Sequence, residues 1–342
     1  MTLNLEAVLN SIQQENFPSY ANIETSHDIP VIDARPLLHF GKTGQQTKPW
    51  YSAIDALKRA LHDVGFFSLT EHGLDATQVK EQSRLYFAQP ESYKEELLLT
   101  KSCQFGYSIN ERLYQTEDSF DERETVQSSD PKQSFNMPPP DSPLLRWPRS
   151  TTYFDSAPFI QAMLDYFRAC EAFTSLLLPN IAYLLGEPDH YFVEKMEGHM
   201  SAIRSLFYPA TDPMHKVKSD QMRASSHSDF GLMTLLQTFG TPGLQVLNRA
   251  HQWITVTTEQ PTDLVVNIGD ALSRMTNGTF RSTRHRVAPL IRDERQSVPY
   301  FVNFASDALV EVVNAYKKPT GNLPPIVSGH YIMAKNGKAH NL

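Results

Sequence analysis

From residue 200 onward the chain breaks into short β-compatible runs, at 202–208, 232–237, 244–247, 253–256, 264–268, 285–287 and 298–303, punctuated by turn residues. Runs this short cannot each bury an apolar face alone. They must share one core, which restricts them to a sandwich or jelly roll. The preceding half is mixed. Residues 30–33 and 65–69 read as strands, and 51–64 as a helix with Ile54, Leu57, Leu61 and Val64 on one stripe. Between 157 and 185, Ile160, Met163, Leu164, Phe167, Phe173, Leu177, Ile181 and Leu184 keep helical spacing, with Gly186 as the stop and Pro179 as a candidate break. Proline density over 130–148, centred on Pro138-Pro139-Pro140, predicts a surface loop. The pattern is α+β with no internal repeat. It reads as one domain over 1–342, made of a mixed helix and strand module at 1–155 and a jelly-roll core at 190–310.

Chemistry enters with Ser226-His227-Ser228-Asp229-Phe230-Gly231-Leu232 and, downstream, Thr283-Arg284-His285-Arg286-Val287. Two imidazoles and a carboxylate can hold one face of iron(II) and leave the opposite face open for oxygen and an organic ligand, which points to an oxygenase. If the strand is regular, His227 and Asp229, two residues apart, project to one side. With 12 His and 38 acidic residues in 342, chance supplies roughly one His-x-acid pair. The surroundings must therefore carry the assignment. A second period-two pair, Arg295 and Ser297 in Arg295-Gln296-Ser297-Val298-Pro299, puts a guanidinium and a hydroxyl on one strand face. That combination grips a carboxylate, so an acidic co-substrate is implied. The intervening Pro289, Arg292, Asp293 and Glu294 suggest a hairpin that sets this grip on the strand beside His285.

The chain resembles the isopenicillin N synthase-like branch of the iron(II)- and 2-oxoglutarate-dependent dioxygenases. The resemblance rests on Tyr208-Pro209, the His-x-Asp run with Phe230-Gly231-Leu232-Met233-Thr234, Gly243-Leu244-Gln245-Val246 and Trp253-Ile254-Thr255-Val256. It continues through Val266-Asn267-Ile268-Gly269-Asp270, Thr276-Asn277-Gly278, His285-Arg286-Val287 and Arg295-Gln296-Ser297. Asp28-Ile29-Pro30-Val31-Ile32-Asp33, Val64-Gly65-Phe66-Phe67 and Glu71-His72-Gly73-Leu74 match the family's amino-terminal module. One departure is Leu206, where many relatives carry asparagine. The resemblance implies a double-stranded β-helix with iron(II) held by His227, Asp229 and His285. It also implies 2-oxoglutarate held by Arg295 and Ser297 with Tyr208, a substrate C–H bond oxidised by molecular oxygen, and succinate and carbon dioxide as co-products. An isopenicillin N synthase-like iron oxidase that does not use 2-oxoglutarate is the alternative, because there the arginine and serine receive a substrate carboxylate. A hydrolytic zinc site and a non-catalytic sensor of a small acid are weaker alternatives.

Composition narrows the partners to small molecules. The net charge of −7 comes without a concentrated Lys/Arg tract, which argues against nucleic acid. No apolar stretch is long enough to cross a bilayer, and residues 1–20 lack the pattern of a signal peptide. With Cys103 and Cys170 alone, a reducing cytoplasm suits the chain. His62, His72, His190, His199, His215, His251 and His330 read as structural or surface residues. Asn267 and Asp270 read as turn structure. Arg204, four residues before Tyr208, shares its face if the strand is regular and either supports the co-substrate or a bound acid, or pairs within the scaffold. Tyr107, Arg112, Tyr114, Phe120, Arg123, Leu206 and Phe304 are expected near the substrate, for which an amino-acid derivative or secondary metabolite is the working expectation.

Overall fold

The structure is a computed structural model that describes residues 29–100, 102–109, 132–210, 222–288 and 294–340. Its strands in chain order are β1 (Val31–Asp33), β2 (Phe66–Thr70), β3 (Gly106–Ile109), β4 (Gln133–Met137), β5 (Ala202–Tyr208), β6 (Ala224–His227) and β7 (Met233–Gln237). They continue as β8 (Leu244–Leu247), β9 (Trp253–Thr255), β10 (Leu264–Ile268), β11 (His285–Val287), β12 (Arg295–Val302), β13 (Leu309–Val310) and β14 (Ile326–Val327). A major sheet runs β1-β2-β10-β7-β12-β5-β4-β3, and a minor sheet runs β6-β11-β8-β9. Together they form the double-stranded β-helix, with strands of the amino-terminal half extending both edges of the major sheet.

Period-two alternation gives the major sheet two different faces. On β12, Val298, Tyr300 and Val302 join the large apolar core, whereas Arg295, Ser297, Pro299 and Phe301 line a cavity. On β5, Ile203 faces the core while Ala202, Arg204, Leu206 and Tyr208 face the cavity. β7 and β10 repeat the division, with Met233, Leu235, Val266 and Ile268 in the core and Thr234, Leu236 and Asn267 at the cavity. Helices Arg35–Thr43, Thr77–Phe87 and Ser156–Leu185 pack together against the core face. A smaller cluster of Phe66, Leu244, Val246, Val256 and Val265 joins the minor sheet to β2 and β10.

Three expectations need correction. The helix Ser156–Leu185 runs through Pro179 without interruption and ends on Gly186 at φ 72°. Buried Leu177, Leu178, Ile181 and Ala182 hold the turns on either side of the proline, so tertiary packing outweighs one missing backbone hydrogen bond. The proline-rich stretch is not wholly loop. Gln133–Met137, which contains no proline, forms β4 and pairs with both β3 and β5. Helix Lys48–Asp63 also starts three residues before the expected boundary, with Thr47 accepting from the Trp50 N–H as its cap.

One polar residue ties the helical layer together. Asn180 is fully buried, accepts from Trp50 Nε1–H at 2.8 Å and donates to the Leu37 carbonyl at 2.9 Å. Replacing it as Asn180→Leu leaves an indole N–H and a carbonyl unpaired in the core. The expected loss is about 2–4 kcal/mol in chemical denaturation. A second tether titrates. His72, buried, donates from Nε2 to the Thr262 carbonyl and accepts the Leu74 N–H on Nδ1, so its hydrogen bonds require the neutral ring. Burial holds its pKa below the ordinary 6.5, against the raising influence of Thr262, Asp263 and Glu71. The unfolded chain therefore binds the proton first, and stability contributed by His72 is lost as pH falls below about 6.5. Denaturation midpoints compared above and below that pH should show a smaller acid loss for His72→Gln than for the parent.

Candidate active site

His227 ends β6 and His285 begins β11, and the two residues are direct partners in the antiparallel pairing of those strands. Their rings lie 4.3 Å apart. Asp229 sits just beyond β6, in the segment that crosses from the minor to the major sheet, and not within a strand as its spacing implied. Its Oδ1 lies 3.9 Å from His227 Nε2 and 3.7 Å from His285 Nε2. Donors bonded to one divalent ion at about 2.1 Å can be up to about 4.2 Å apart. The donor atoms of all three residues lie within 4.8 Å of one another, so small ring rotations bring them onto a single ion.

The hydrogen bonds around these residues suit that use. His227 Nδ1 faces the Ser225 carbonyl at 2.7 Å, and His285 Nδ1 faces the Thr283 carbonyl at 3.2 Å. A carbonyl only accepts, so each Nδ1 carries a proton and each Nε2 is left facing the shared space. Burial, reinforced by His285, lowers the His227 pKa and keeps the ring neutral. Burial alone would raise the Asp229 carboxyl. The neighbouring imidazoles and two hydrogen bonds reverse this and hold it below the ordinary carboxylate value. The bonds come from Thr234 Oγ1 at 2.6 Å and Asn267 Nδ2 at 2.7 Å, both to Oδ2. Oδ1 therefore faces the imidazoles. Backbone bonds from Asp270 to the Asp229 carbonyl and from Ala271 to the Gly231 carbonyl pin the crossing segment. Gly231 is required here because a Cβ would meet Asn303 Oδ1 at 2.1 Å.

Arg295 is nearly inaccessible at 1% exposure, yet it borders the cavity. Its Nη1 donates to Ser297 Oγ at 3.0 Å, and its guanidinium carbon lies 4.9 Å from the centre of the Tyr208 ring. Among the described residues its Nε has no hydrogen-bond partner. Burial lowers the Arg295 pKa, but a guanidinium stays charged across the physiological range. A buried cation with a spare donor beside a hydroxyl and a tyrosine suits a ligand carboxylate. The three candidate donors and the Arg295–Ser297 pair open into one cavity of about 360 Å³.

The expected hairpin between them is absent: β11 pairs with β6 and β8, and β12 with β5 and β7. The two grips face each other from different sheets because the pairing partners of each strand are remote in sequence. Pro289, Arg292 and Asp293 lie outside the described residues, as do Arg112, Tyr114, Phe120, Arg123 and His215. Leu206 lines the cavity as expected. Tyr107 does not, since it is fully buried with its hydroxyl 2.9 Å from both Glu91 Oε1 and Gln133 Oε1. Phe304 instead stacks on Phe192 in the core. Asn267 is not turn structure but the second strand residue from the end of β10, where it holds Asp229. An amide at a cavity-facing position of an otherwise apolar strand was the signal for it.

Two imidazoles, a carboxylate and an arginine–serine pair in one jelly-roll cavity fit a mononuclear non-haem iron enzyme. Residues 199–304 match the 2OG-Fe(II) oxygenase superfamily, and residues 29–150 match the family model described as non-haem dioxygenase in morphine synthesis N-terminal. The chain is 30% identical to the 2-oxoglutarate-Fe(II) type oxidoreductase ppzC of Metarhizium rileyi (strain RCEF 4871), over 84% of this chain and 80% of that protein. It is 35% identical to Proline hydroxylase buaE of Petromyces alliaceus across a shorter match, 54% of this chain and 60% of that enzyme. In structure it resembles a full-length Neurospora crassa protein crystallised in complex with alpha-KG, with a TM-score of 0.80, 27% identity and coverage of 94% of this chain and 99% of that one. The chain belongs to the iron(II)- and 2-oxoglutarate-dependent oxygenases. Among the described residues, no helix is long and apolar enough to cross a membrane.

Asn267 offers a direct check on how the carboxylate is held. Asn267→Leu removes one of two donors to Asp229 Oδ2 and should weaken iron(II) binding by about 10–100-fold, measured by anaerobic titration, while the protein remains folded.

Proposed function

We propose that His227, Asp229 and His285 bind iron(II), and that Arg295, Ser297 and Tyr208 hold the distal carboxylate of 2-oxoglutarate. A small organic substrate then occupies the rest of the cavity and is hydroxylated at a C–H bond. The observation that carries this reading is the convergence of the three donors with a buried, incompletely paired guanidinium in one cavity.

Iron(II) with 2-oxoglutarate supplies oxygen activation, yielding succinate, carbon dioxide and an oxidised substrate carbon. The chain's own residues supply placement. The two carbonyls on Nδ1 of His227 and His285 fix ring orientation, and the edge of Phe66 packs on His285 with ring centroids 5.3 Å apart. Thr234 and Asn267 keep Asp229 ionised and aimed. Arg295 and Ser297 anchor the far end of the co-substrate, which fixes its position before a reacting partner arrives. Leu206, Leu236, Leu244 and Val287 provide apolar wall that excludes water from the reacting carbon.

The relative named proline hydroxylase supports an amino-acid-like or secondary-metabolite substrate. A cytoplasmic enzyme acting on a small molecule and oxygen, with neither nucleic acid nor membrane as partner, is the setting we propose. The net charge of −7 supports it, as do the two free cysteines, Cys103 and Cys170.

Succinate release from 2-oxoglutarate in the iron-loaded protein tests the reading, and its absence with every substrate tried would count for an oxidase that dispenses with 2-oxoglutarate. Asp229→Ala should abolish substrate-stimulated succinate formation. Arg295→Met should raise the half-saturating 2-oxoglutarate concentration by at least about tenfold, the loss expected for a buried charged hydrogen-bond partner, with iron(II) affinity little changed.

A further inference from the structure

Among the described residues, two buried side chains border the cavity with a donor that has no hydrogen-bond partner, Arg295 through Nε and Asn136 through Nδ2. The first belongs to the co-substrate grip proposed above. The second has no such use. A buried amide N–H left unpaired costs free energy that a ligand supplying an acceptor recovers.

The orientation of the Asn136 amide follows from its neighbour. Arg204 Nε donates to Asn136 Oδ1. A guanidinium has no acceptor, so the amide oxygen must face Arg204 and the NH2 group must point elsewhere. Asn136 is buried at 5% exposure on β4, directly opposite Arg204 on β5 and Gly106 on β3. A side chain rooted in a strand paired on both sides, and held at its oxygen, presents its remaining donor in a fixed direction.

That donor lies apart from the co-substrate. Tyr208 is opposite Arg295 in the pairing of β5 with β12, and Arg204 lies four residues before Tyr208. Asn136 is therefore displaced from Arg295 by about 13 Å along the strands, at about 3.3 Å per residue, and by two strand spacings, about 10 Å, across them. In the sheet order β7, whose Thr234 holds Asp229, lies on one side of β12, and β4 lies on the other side beyond β5. A five-carbon diacid gripped at Arg295 and reaching toward the three donors runs away from Asn136. The acceptor that meets Asn136 belongs to a second molecule.

Resting on the function proposed above, we infer that Asn136 donates its Nδ2–H to a carbonyl oxygen of the primary substrate. The substrate is thus a carbonyl compound, an acid or a neutral amide or ketone, whose acceptor lies on a different part of the molecule from the carbon that is oxidised. Phe105, Leu206 and Phe301 line the same cavity and suit an apolar body joining the two.

Calorimetric titration of the anaerobic iron(II) and 2-oxoglutarate holoenzyme tests this without turnover. Each probe is paired with the analogue in which CH2 replaces the carbonyl: the L-amino acids with their amino alcohols for the acid form, and acetophenone with ethylbenzene for the neutral form. Titration of 2-oxoglutarate alone comes first and tests the underlying reading separately. At least one carbonyl probe should bind about tenfold more tightly than its partner. Asn136→Asp keeps an oxygen for Arg204 but sets an acceptor where the donor stood, and Asn136→Ala removes both. Each should abolish the preference, with 2-oxoglutarate affinity held within about twofold as proof of an intact site. A preference retained in Asn136→Asp would mean that Asn136 only braces Arg204 and would overturn the inference. So would a preference that survives Asn136→Ala, or no carbonyl probe bound better than its partner at millimolar concentration.

Discussion

The carboxylate of Asp229 is the constraint on which the rest of the site depends. A buried charge costs several kcal/mol unless it is paired and hydrogen-bonded. Here the compensation comes from Thr234 and Asn267, which are direct cross-strand partners on β7 and β10 and so present their donors side by side. The major sheet thereby holds a residue that belongs to the crossing segment, and through it aligns the imidazoles of the minor sheet. The order of β10 and β7 within the sheet is therefore as much a part of the site as the three donors themselves.

The strands of the jelly roll were legible as short β-compatible runs between turn residues, and Arg295 and Ser297 could be placed on one face from their spacing alone. What the sequence did not disclose was which strands become neighbours. Pairing is decided by contacts between distant segments, so adjacency along the chain from His285 to Arg295 suggested a hairpin where two separate sheets exist. Gln133–Met137 was obscured by the prolines that follow it, although β3 and β5 both supply it with hydrogen-bonding partners. Asn267 looks like part of a turn because it lies close to Gly269. Its role becomes visible only when Asp229 is folded against it.

The two grips divide the labour between the sheets. The minor sheet presents the two imidazoles on strands tied together by Arg284, which donates to the Ser226 hydroxyl and carbonyl. The major sheet presents Arg295, the cation proposed above to answer an acid. Anchoring each on a strand rather than a long loop keeps the distance between them fixed, and the apolar cluster of Phe66, Leu244 and Val265 holds the sheets in register.

Part of the cavity wall comes from four separated stretches: Gln104 and Phe105 before β3, Asn136 on β4, Arg204 and Leu206 on β5, and Ile332 and Met333 from the helix Ser328–His340. These positions are a small minority of the chain and lie apart from the donors that define the reaction. On the function proposed above, the three donors would set the reaction and these wall positions the choice of substrate, so one can change while the other is kept.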